Sequence, residues 1–381
     1  MAFDIAVASA PRPAASRQRP GILFVTRKWA PATGGMETYC LRLTETLAEH
    51  EPVEVIALKG RANGMPPGVL ALLAFPFTVI ARCLARREAP RVLHLGDMAV
   101  WPLAFAALFW RGTRIVLSAH GTDVAYHRRG GWRGRLYGAY LRVGAKLLGT
   151  ARVIANSRAT REILAETGWR NVAVVPLATD LTGPQPDGTH DGSILFAGRL
   201  VERKGCAWFV REVLPLLPGA LRLKVAGTVW NAAEAEVLAD PRVDFLGALP
   251  QDELARAYGR ALCVIVPNID VASGEYEGFG LVAPEAAAAG GVVLAADHGG
   301  LRDAVIGGET GFLLPGSEPR AWADRIAQIA AWPADRREAF LRRAQATAGR
   351  HYGWDRAARE TLAVYDAAAE AAGEARPATS R

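Results

Sequence analysis

The sequence predicts an α/β protein made of two doubly wound, mostly parallel sheets in succession. Three observations predict it. The chain has 381 residues, long for a single hydrophobic core. Short apolar runs alternate with helical patterns along nearly all of it, the mark of βαβ units. One stretch, 178–192, gives up that periodicity for Gly, Pro, Asp and Thr and divides the alternation into two sets.

In chain order, residues 1–20 are rich in Ala, Arg and Pro and are expected to be flexible, with no signal peptide evident. Strands are expected at 21–26, 53–58, 91–95, 114–118, 152–155 and 172–175, with amphipathic or apolar segments between most of them. Together they form a first domain, 21–180. Residues 181–192 read as a linker. Strands at 193–198, 221–227, 243–247, 262–267 and 291–295 build a second domain, 193–350. A helix over about 353–371 places Trp354, Ala358, Leu362 and Tyr365 on one face, and 373–381 read as a flexible tail. Ligands of open α/β sheets bind at the carboxyl ends of the strands, so two such sheets facing each other would make a cleft.

Two uncharged stretches, 69–81 and 98–110, fall short of the roughly 20 residues that span a bilayer. Both are expected as buried helices. Arg82, Arg86 and Arg87 after the first leave a membrane-surface helix as the alternative. Apolar residues make up 50% of the chain and charged ones 22%, which is ordinary for a globular protein. The formal charge of +7 suits an anionic substrate or an anionic membrane surface. The arginines are spread along the chain instead of gathered in an arm, which argues against nucleic acid. Cys40, Cys83, Cys206 and Cys263 stand far apart without metal-ligand spacing, so free thiols in a reducing, cytoplasmic setting are expected.

The chemistry concentrates at strand ends. Glu277-Gly278-Phe279-Gly280-Leu281-Val282-Ala283-Pro284-Glu285 puts two carboxylates around a Gly-Phe-Gly turn that opens an Ala-rich helix. Free amides at a helix start suit a phosphate, and glycine lets a ligand approach the backbone. The segment fits a sugar nucleotide, with sugar hydroxyls at Glu277, diphosphate at the turn and ribose at Glu285; two solvated glutamates at a strand–helix junction is the plainer account. Arg199 and Lys204 flank a turn after the first strand of the second domain and suit a diphosphate, unless they are a solvated basic turn. Gly227 ends the next strand, where a small residue would let a nucleotide pass. In the first domain, Gly34-Gly35-Met36-Glu37 opens a helix after the first strand, and His120-Gly121-Thr122-Asp123 follows a later one. Gly35 can bring amides to a phosphate, and His120 can meet a sugar hydroxyl or developing charge; a tight turn and a capping histidine are the simpler readings. The chain has no Asp-X-Asp, no His/Cys cluster, no GxSxG and no GxxxxGK[ST], so no metal clamp, zinc site, hydrolase elbow or P-loop is indicated.

Taken in order, these motifs resemble those of the family-4 retaining glycosyltransferases of the two-domain GT-B fold. The resemblance runs from about Gly21 to Ala371 and also takes in Asn156-Ser157, Val175-Pro176, Phe196-Ala-Gly-Arg-Leu200 with Lys204-Gly205, Phe245-Leu-Gly247 and Glu309-Thr-Gly311. It implies that Arg199 and Lys204 grip the donor diphosphate and that Glu285 binds ribose. Glu277 binds the donor sugar, with the Phe279, Gly280 and Leu281 turn beside it, and His120 contacts that sugar near the reacting carbon. Gly35 approaches the diphosphate, and the last helix crosses back to the first domain. The chain departs from the usual pattern at Leu177-Ala178-Thr179-Asp180 and at Pro284. The implied activity is retaining hexosyl transfer from a UDP- or GDP-sugar to a carbohydrate or lipid-linked acceptor in polysaccharide or glycolipid synthesis. No metal cofactor is required, no nucleic acid is bound, and an anionic membrane surface is a further expected partner. A nucleotide-sugar epimerase or hydrolase, or a non-catalytic binder of the same fold, is the alternative. The segment Arg128-Arg129…Trp132-Arg133…Arg135 adds to the membrane-surface reading.

Overall fold

The computed structural model describes residues 5–9, 21–32, 34–61 and 63–374. They fall into two units. The first runs to Val175 and resumes at Trp354; the second is Pro176–Gly353.

The first unit holds β1 (Ile5–Ser9), β2 (Ile22–Trp29), β3 (Val53–Lys59), β4 (Val92–Leu95), β5 (Arg114–Ala119), β6 (Arg152–Ala155) and β7 (Val172–Val174), in spatial order β1-β3-β2-β4-β5-β6-β7. Every pairing is parallel except that of β1, which lies antiparallel on β3. Of the N-terminal 1–20 expected to be flexible, Ile5–Ser9 thus form an edge strand; the others lie outside the described residues, as do 375–381 of the tail. Helices α1 (Gly35–Ala48), α2 (Val69–Ala85), α3 (Thr122–Ala125), α4 (Gly131–Leu147) and α5 (Arg158–Glu166) connect the strands, with a 3₁₀ segment at Met98–Phe109. Local sequence sets their limits. Ser157 caps α5 by accepting from the Thr160 N–H at 3.0 Å, and Asp97 caps the 3₁₀ segment by accepting from Ala99 N–H. On α1, Tyr39, Cys40, Leu43 and Leu47 are buried at helical spacing.

The second unit holds β8 (Ile194–Ala197), β9 (Leu223–Ala226), β10 (Val243–Gly247), β11 (Cys263–Val266), β12 (Val293–Ala296) and β13 (Gly311–Leu314), all parallel, in order β10-β9-β8-β11-β12-β13. Its helices are α6 (Cys206–Trp208, continuing as a wider π turn over Phe209–Val213), α7 (Ala232–Glu236), α8 (Gln251–Arg260), α9 (Val282–Ala288), α10 (Leu301–Ala304), α11 (Pro319–Ala330) and α12 (Ala334–His351). The last helix, α13 (Trp354–Glu374), belongs to the first unit. Strands β8, β11 and β12 are buried throughout, as a sheet covered on both faces requires.

Three expectations need correction. The stretch read as a linker, 181–192, is laid against the second unit: Leu181 is buried, Gln345 donates to the Gly183 carbonyl, and Asp191 pairs with Lys224 at 2.6 Å. The chain passes from one unit to the other at Val175–Pro176. The first uncharged stretch, read as a buried helix, is the solvent-facing α2, in which only Phe75, Val79 and Cys83 are buried. The second is only partly buried, with Phe105, Leu108 and Phe109 exposed. Absence of charge in a short run signals an apolar segment, and periodicity alone does not tell which side of it meets water.

Both sheets reverse strand order once, between β8 and β11 in the second unit and between β2 and β4 in the first. These switch points are where a ligand crevice forms in an open α/β sheet.

Candidate active site

In the second unit the switch point gathers a charged cluster. The turn after β8 carries Arg203 and Lys204 in a short 3₁₀ turn (Glu202–Lys204), and Asn268 follows β11. All three converge on one oxygen of Glu277. Arg203 donates to Oε2 at 2.6 Å, Lys204 Nζ lies 2.6 Å from it, and Asn268 donates at 3.1 Å. Arg203 also lies 3.7 Å from Glu275. Burial by itself would raise the Glu277 carboxyl, but the Lys204 and Arg203 charges outweigh it and hold the group at about 2. Glu277 is therefore a fixed carboxylate at neutral pH. The opposite balance holds at Glu285, in the first turn of α9. There burial raises the carboxyl, and Lys204 only partly offsets it. Lys204 thus acts electrostatically on both carboxylates of the Glu277–Glu285 segment. The Tyr258 hydroxyl, buried without a hydrogen-bond partner, lies in the field of Glu285.

The turn between the two carboxylates is set by packing. Phe279 is a core residue, edge-on to Tyr352 at 6.1 Å. Gly280 has φ +90°, and a Cβ there would come within 2.4 Å of Leu301. Leu281 precedes α9, and its carbonyl accepts from Glu285 N–H at 3.0 Å. Gly227, at the end of β9, has φ +152°; a Cβ would meet the Gly198 carbonyl oxygen at 1.8 Å, so the crossing of two backbones accounts for glycine here. Arg199 is exposed and stacks over Trp230, 5.1 Å from the ring centroid, with no hydrogen bond to Glu277 or Glu285 among the described residues. The structure therefore brings Lys204, Glu277 and Glu285 together and turns Arg199 toward Trp230.

In the first unit, His120 is buried just past β5. Its Nε2 is 2.9 Å from the Gly96 carbonyl, its backbone N–H donates to Asp123, and its ring lies edge-on to Tyr39 at 4.7 Å. Asp123 also accepts from Met98 N–H at 3.1 Å, so it ties the β4 end to the β5 end; burial raises its carboxyl. Next to it, Arg27 at the end of β2 donates to both oxygens of buried Asp97 at 3.2 and 3.0 Å. Gly35 opens α1, whose Glu37 lies 3.3 Å from Lys28. Behind His120 runs a buried polar chain: the Tyr39 hydroxyl meets Ser118 at 2.9 Å, Ser118 meets His94 Nε2 at 2.8 Å, and His94 Nδ1 meets the Tyr365 hydroxyl of α13 at 2.6 Å.

Sequence reasoning missed Arg203, Asn268, Arg27 and Asp97. Arg27, Asp97 and Asn268 lie at or just beyond a strand end at a switch point, so the strand-end rule applied to every strand would have found these three; Arg203, six residues past β8, needed the turn's geometry.

The two doubly wound sheets, with polar clusters at their switch points, define a GT-B glycosyltransferase architecture. Comparison with known proteins agrees. A family model described as "Glycosyltransferase Family 4" matches residues 33–182, and one described as "Glycosyl transferases group 1" matches 191–331. A D-inositol 3-phosphate glycosyltransferase of Xylanimonas cellulosilytica is 30% identical over 393 residues, covering 87% of this chain and 91% of that protein. Among solved structures, sucrose-phosphate synthase from Thermosynechococcus elongatus superposes with a TM-score of 0.70 at 20% identity, covering 93% of this chain and all of the other. Anabaena HepE in complex with UDP gives 0.67 at 20% identity over 91% of this chain and all of its own. The chain belongs to glycosyltransferase family 4.

Proposed function

We propose that the protein moves a hexose from a nucleotide-diphosphate sugar, with UDP or GDP as the nucleotide, to an acceptor hydroxyl, and that the anomeric configuration is retained. One observation carries the reading: a carboxylate, Glu277, held ionised by Arg203, Lys204 and Asn268 at the switch point of the second sheet. Because the three donors meet at Oε2, Oε1 is the oxygen that accepts donor-sugar hydroxyls. Lys204 then faces the leaving diphosphate, with Arg199 and the backbone amides around Gly280 and Leu281 completing its neutralisation. Glu285 accepts from the ribose. His120 and Gly35 keep the roles implied by the family. No Asp-X-Asp clamp exists in the sequence, so these groups take the place of a metal. Retention follows a front-face course. The acceptor oxygen bonds to the anomeric carbon on the side from which the C1–O bond to phosphate breaks, and the acceptor proton passes to a leaving phosphate oxygen. The acceptor is a carbohydrate or lipid-linked hydroxyl of polysaccharide or glycolipid synthesis. HepE structures with UDP-glucose support the choice of donor class.

A thermal-shift panel of UDP- and GDP-sugars identifies the donor, and NMR of the product reads the anomer. Stabilisation by one sugar nucleotide and a retained glycoside are expected. Free sugar as the sole product would make the protein a hydrolase instead, and a covalent glycosyl–Glu277 adduct would overturn the front-face course.

A further inference from the structure

Helix α2 turns its apolar side outward. Leu70, Leu73, Phe77, Ile80 and Leu84 recur at spacings of three and four and are all exposed, Phe77 to 74%, while the inward face is Phe75, Val79 and Cys83. A helix on a water-facing surface ordinarily shows the reverse. The 3₁₀ segment packs against both α2 and α4 and adds Leu108, exposed to 80%, and Phe109. Helix α4 repeats the pattern, with Trp132, Leu136, Val143 and Leu147 exposed. Most of the large apolar side chains exposed among the described residues lie on these three contiguous elements.

The charge on them has one sign. Helix α4 carries Arg133, Arg135, Arg142 and Lys146 and no acid; α2 carries Arg82 and no acid, and after it Arg86 is paired with Glu54 while Arg87 and Glu88 are both exposed. Between residues 89 and 161 the acids are Asp97 and Asp123, both buried. Apolar side chains interleaved with exposed cations, with an exposed Trp at one end, match the headgroup layer of an anionic bilayer. Two copies of this face would set the α4 cations against each other, which disfavours self-association. No helix among the described residues is long and apolar enough to cross a membrane, so the contact is with the surface.

We propose that the face formed by α2, the 3₁₀ segment and α4 docks on an anionic lipid bilayer, the apolar stripes entering the acyl boundary and the cations resting among the headgroups. The proposal goes beyond the transfer reaction and stands without it, because docking is measured with no sugar donor present. The full chain is sedimented with vesicles of phosphatidylcholine alone or mixed with phosphatidylglycerol. Binding to the mixed vesicles is expected, and it should fall about tenfold or more at high salt. The Leu73→Glu/Phe77→Glu variant should lose binding by a similar factor. So should Arg135→Glu/Arg142→Glu, and both should keep the wild-type circular dichroism because the altered side chains are exposed. Three results would overturn the proposal: no binding to the mixed vesicles, equal binding to neutral ones, or wild-type binding by the Leu73/Phe77 variant. A wild-type dimer that the same substitutions dissolve, without vesicle binding, would assign the face to a second copy instead.

Discussion

His94 offers a sharp test of the first unit's core. It is fully buried on β4, its two ring nitrogens hydrogen-bonded to Tyr365 and Ser118. Burial, with a smaller contribution from His120, pushes its pKa down from 6.5 to about 3. The folded protein therefore holds a neutral imidazole where the unfolded chain takes up a proton. The sign follows: the unfolded state binds more protons below pH 6.5, so stability falls as pH drops from there toward about 3. At ~1.4 kcal/mol per pH unit once well below 6.5, His94 costs the fold about 2 kcal/mol between pH 7 and pH 5. His94→Gln cannot titrate. Its stability at pH 7 should be lower by roughly 1–3 kcal/mol, from imperfect replacement of two buried hydrogen bonds. Its further loss from pH 7 to 5 should be about 2 kcal/mol smaller than in the wild type. Urea unfolding at pH 7, 6 and 5 measures both slopes, and proton NMR of the His94 ring reads its titration directly. Parallel slopes, or a folded-state His94 that titrates near 6.5, would refute the reasoning.

Four other outcomes are expected. Arg203→Met removes one of two cations from Glu277 Oε2; Glu277 lies at about 2 against an ordinary 4.5, so the cost at pH 7 should be about 1–2 kcal/mol. Carbon NMR should show the Glu277 carboxyl titrating higher, with the stabilisation complete above about pH 4.5 and lost as pH falls toward 2. Asp123→Ala leaves the buried N–H groups of His120 and Met98 without an acceptor and should cost about 2–4 kcal/mol in urea unfolding. Gly227→Ala drives a methyl into the Gly198 carbonyl and should cost roughly 4 kcal/mol or abolish soluble expression. Sugar transfer should proceed at an unchanged rate after prolonged treatment with EDTA; a loss restored by one divalent cation would reject the metal-free reading.

Much of the fold was legible because strands buried on both faces read as short apolar runs between turn residues. That is why 152–155 reads to the residue; 243–247 does so as well, although β10 is an edge strand with Phe245 and Leu246 exposed, because Gly247 marks its end. Strand β13 was missed: Gly311–Leu314 is four residues starting at a glycine, too brief to show a pattern. The Glu277–Glu285 segment and Lys204, which the structure brings together, stand out in the sequence because a charged residue beside a glycine turn is visible in one dimension. Arg203 was passed over for its neighbours because the direction of a side chain leaving a tight turn depends on backbone angles that composition does not report. The outward stripe of α2 was hidden for a related reason. Both of its faces are apolar, so nothing in the sequence marks the outer one.

The hydrogen bond from His94 to Tyr365 spans 271 residues of chain. All of the second unit is made between those two residues. At ~5–20 residues per second, the ribosome needs about 10–50 s to deliver Tyr365 after His94 has emerged. Throughout that interval the first sheet lacks α13, the helix that carries the hydroxyl partner of its buried imidazole. The second unit, continuous from Pro176 to Gly353, can close as soon as it is released. Synthesis and completion should therefore run in opposite order: the half of the protein made first is finished last, and chains truncated before Tyr365 and released from the ribosome should be cut by protease in the first unit while the second resists.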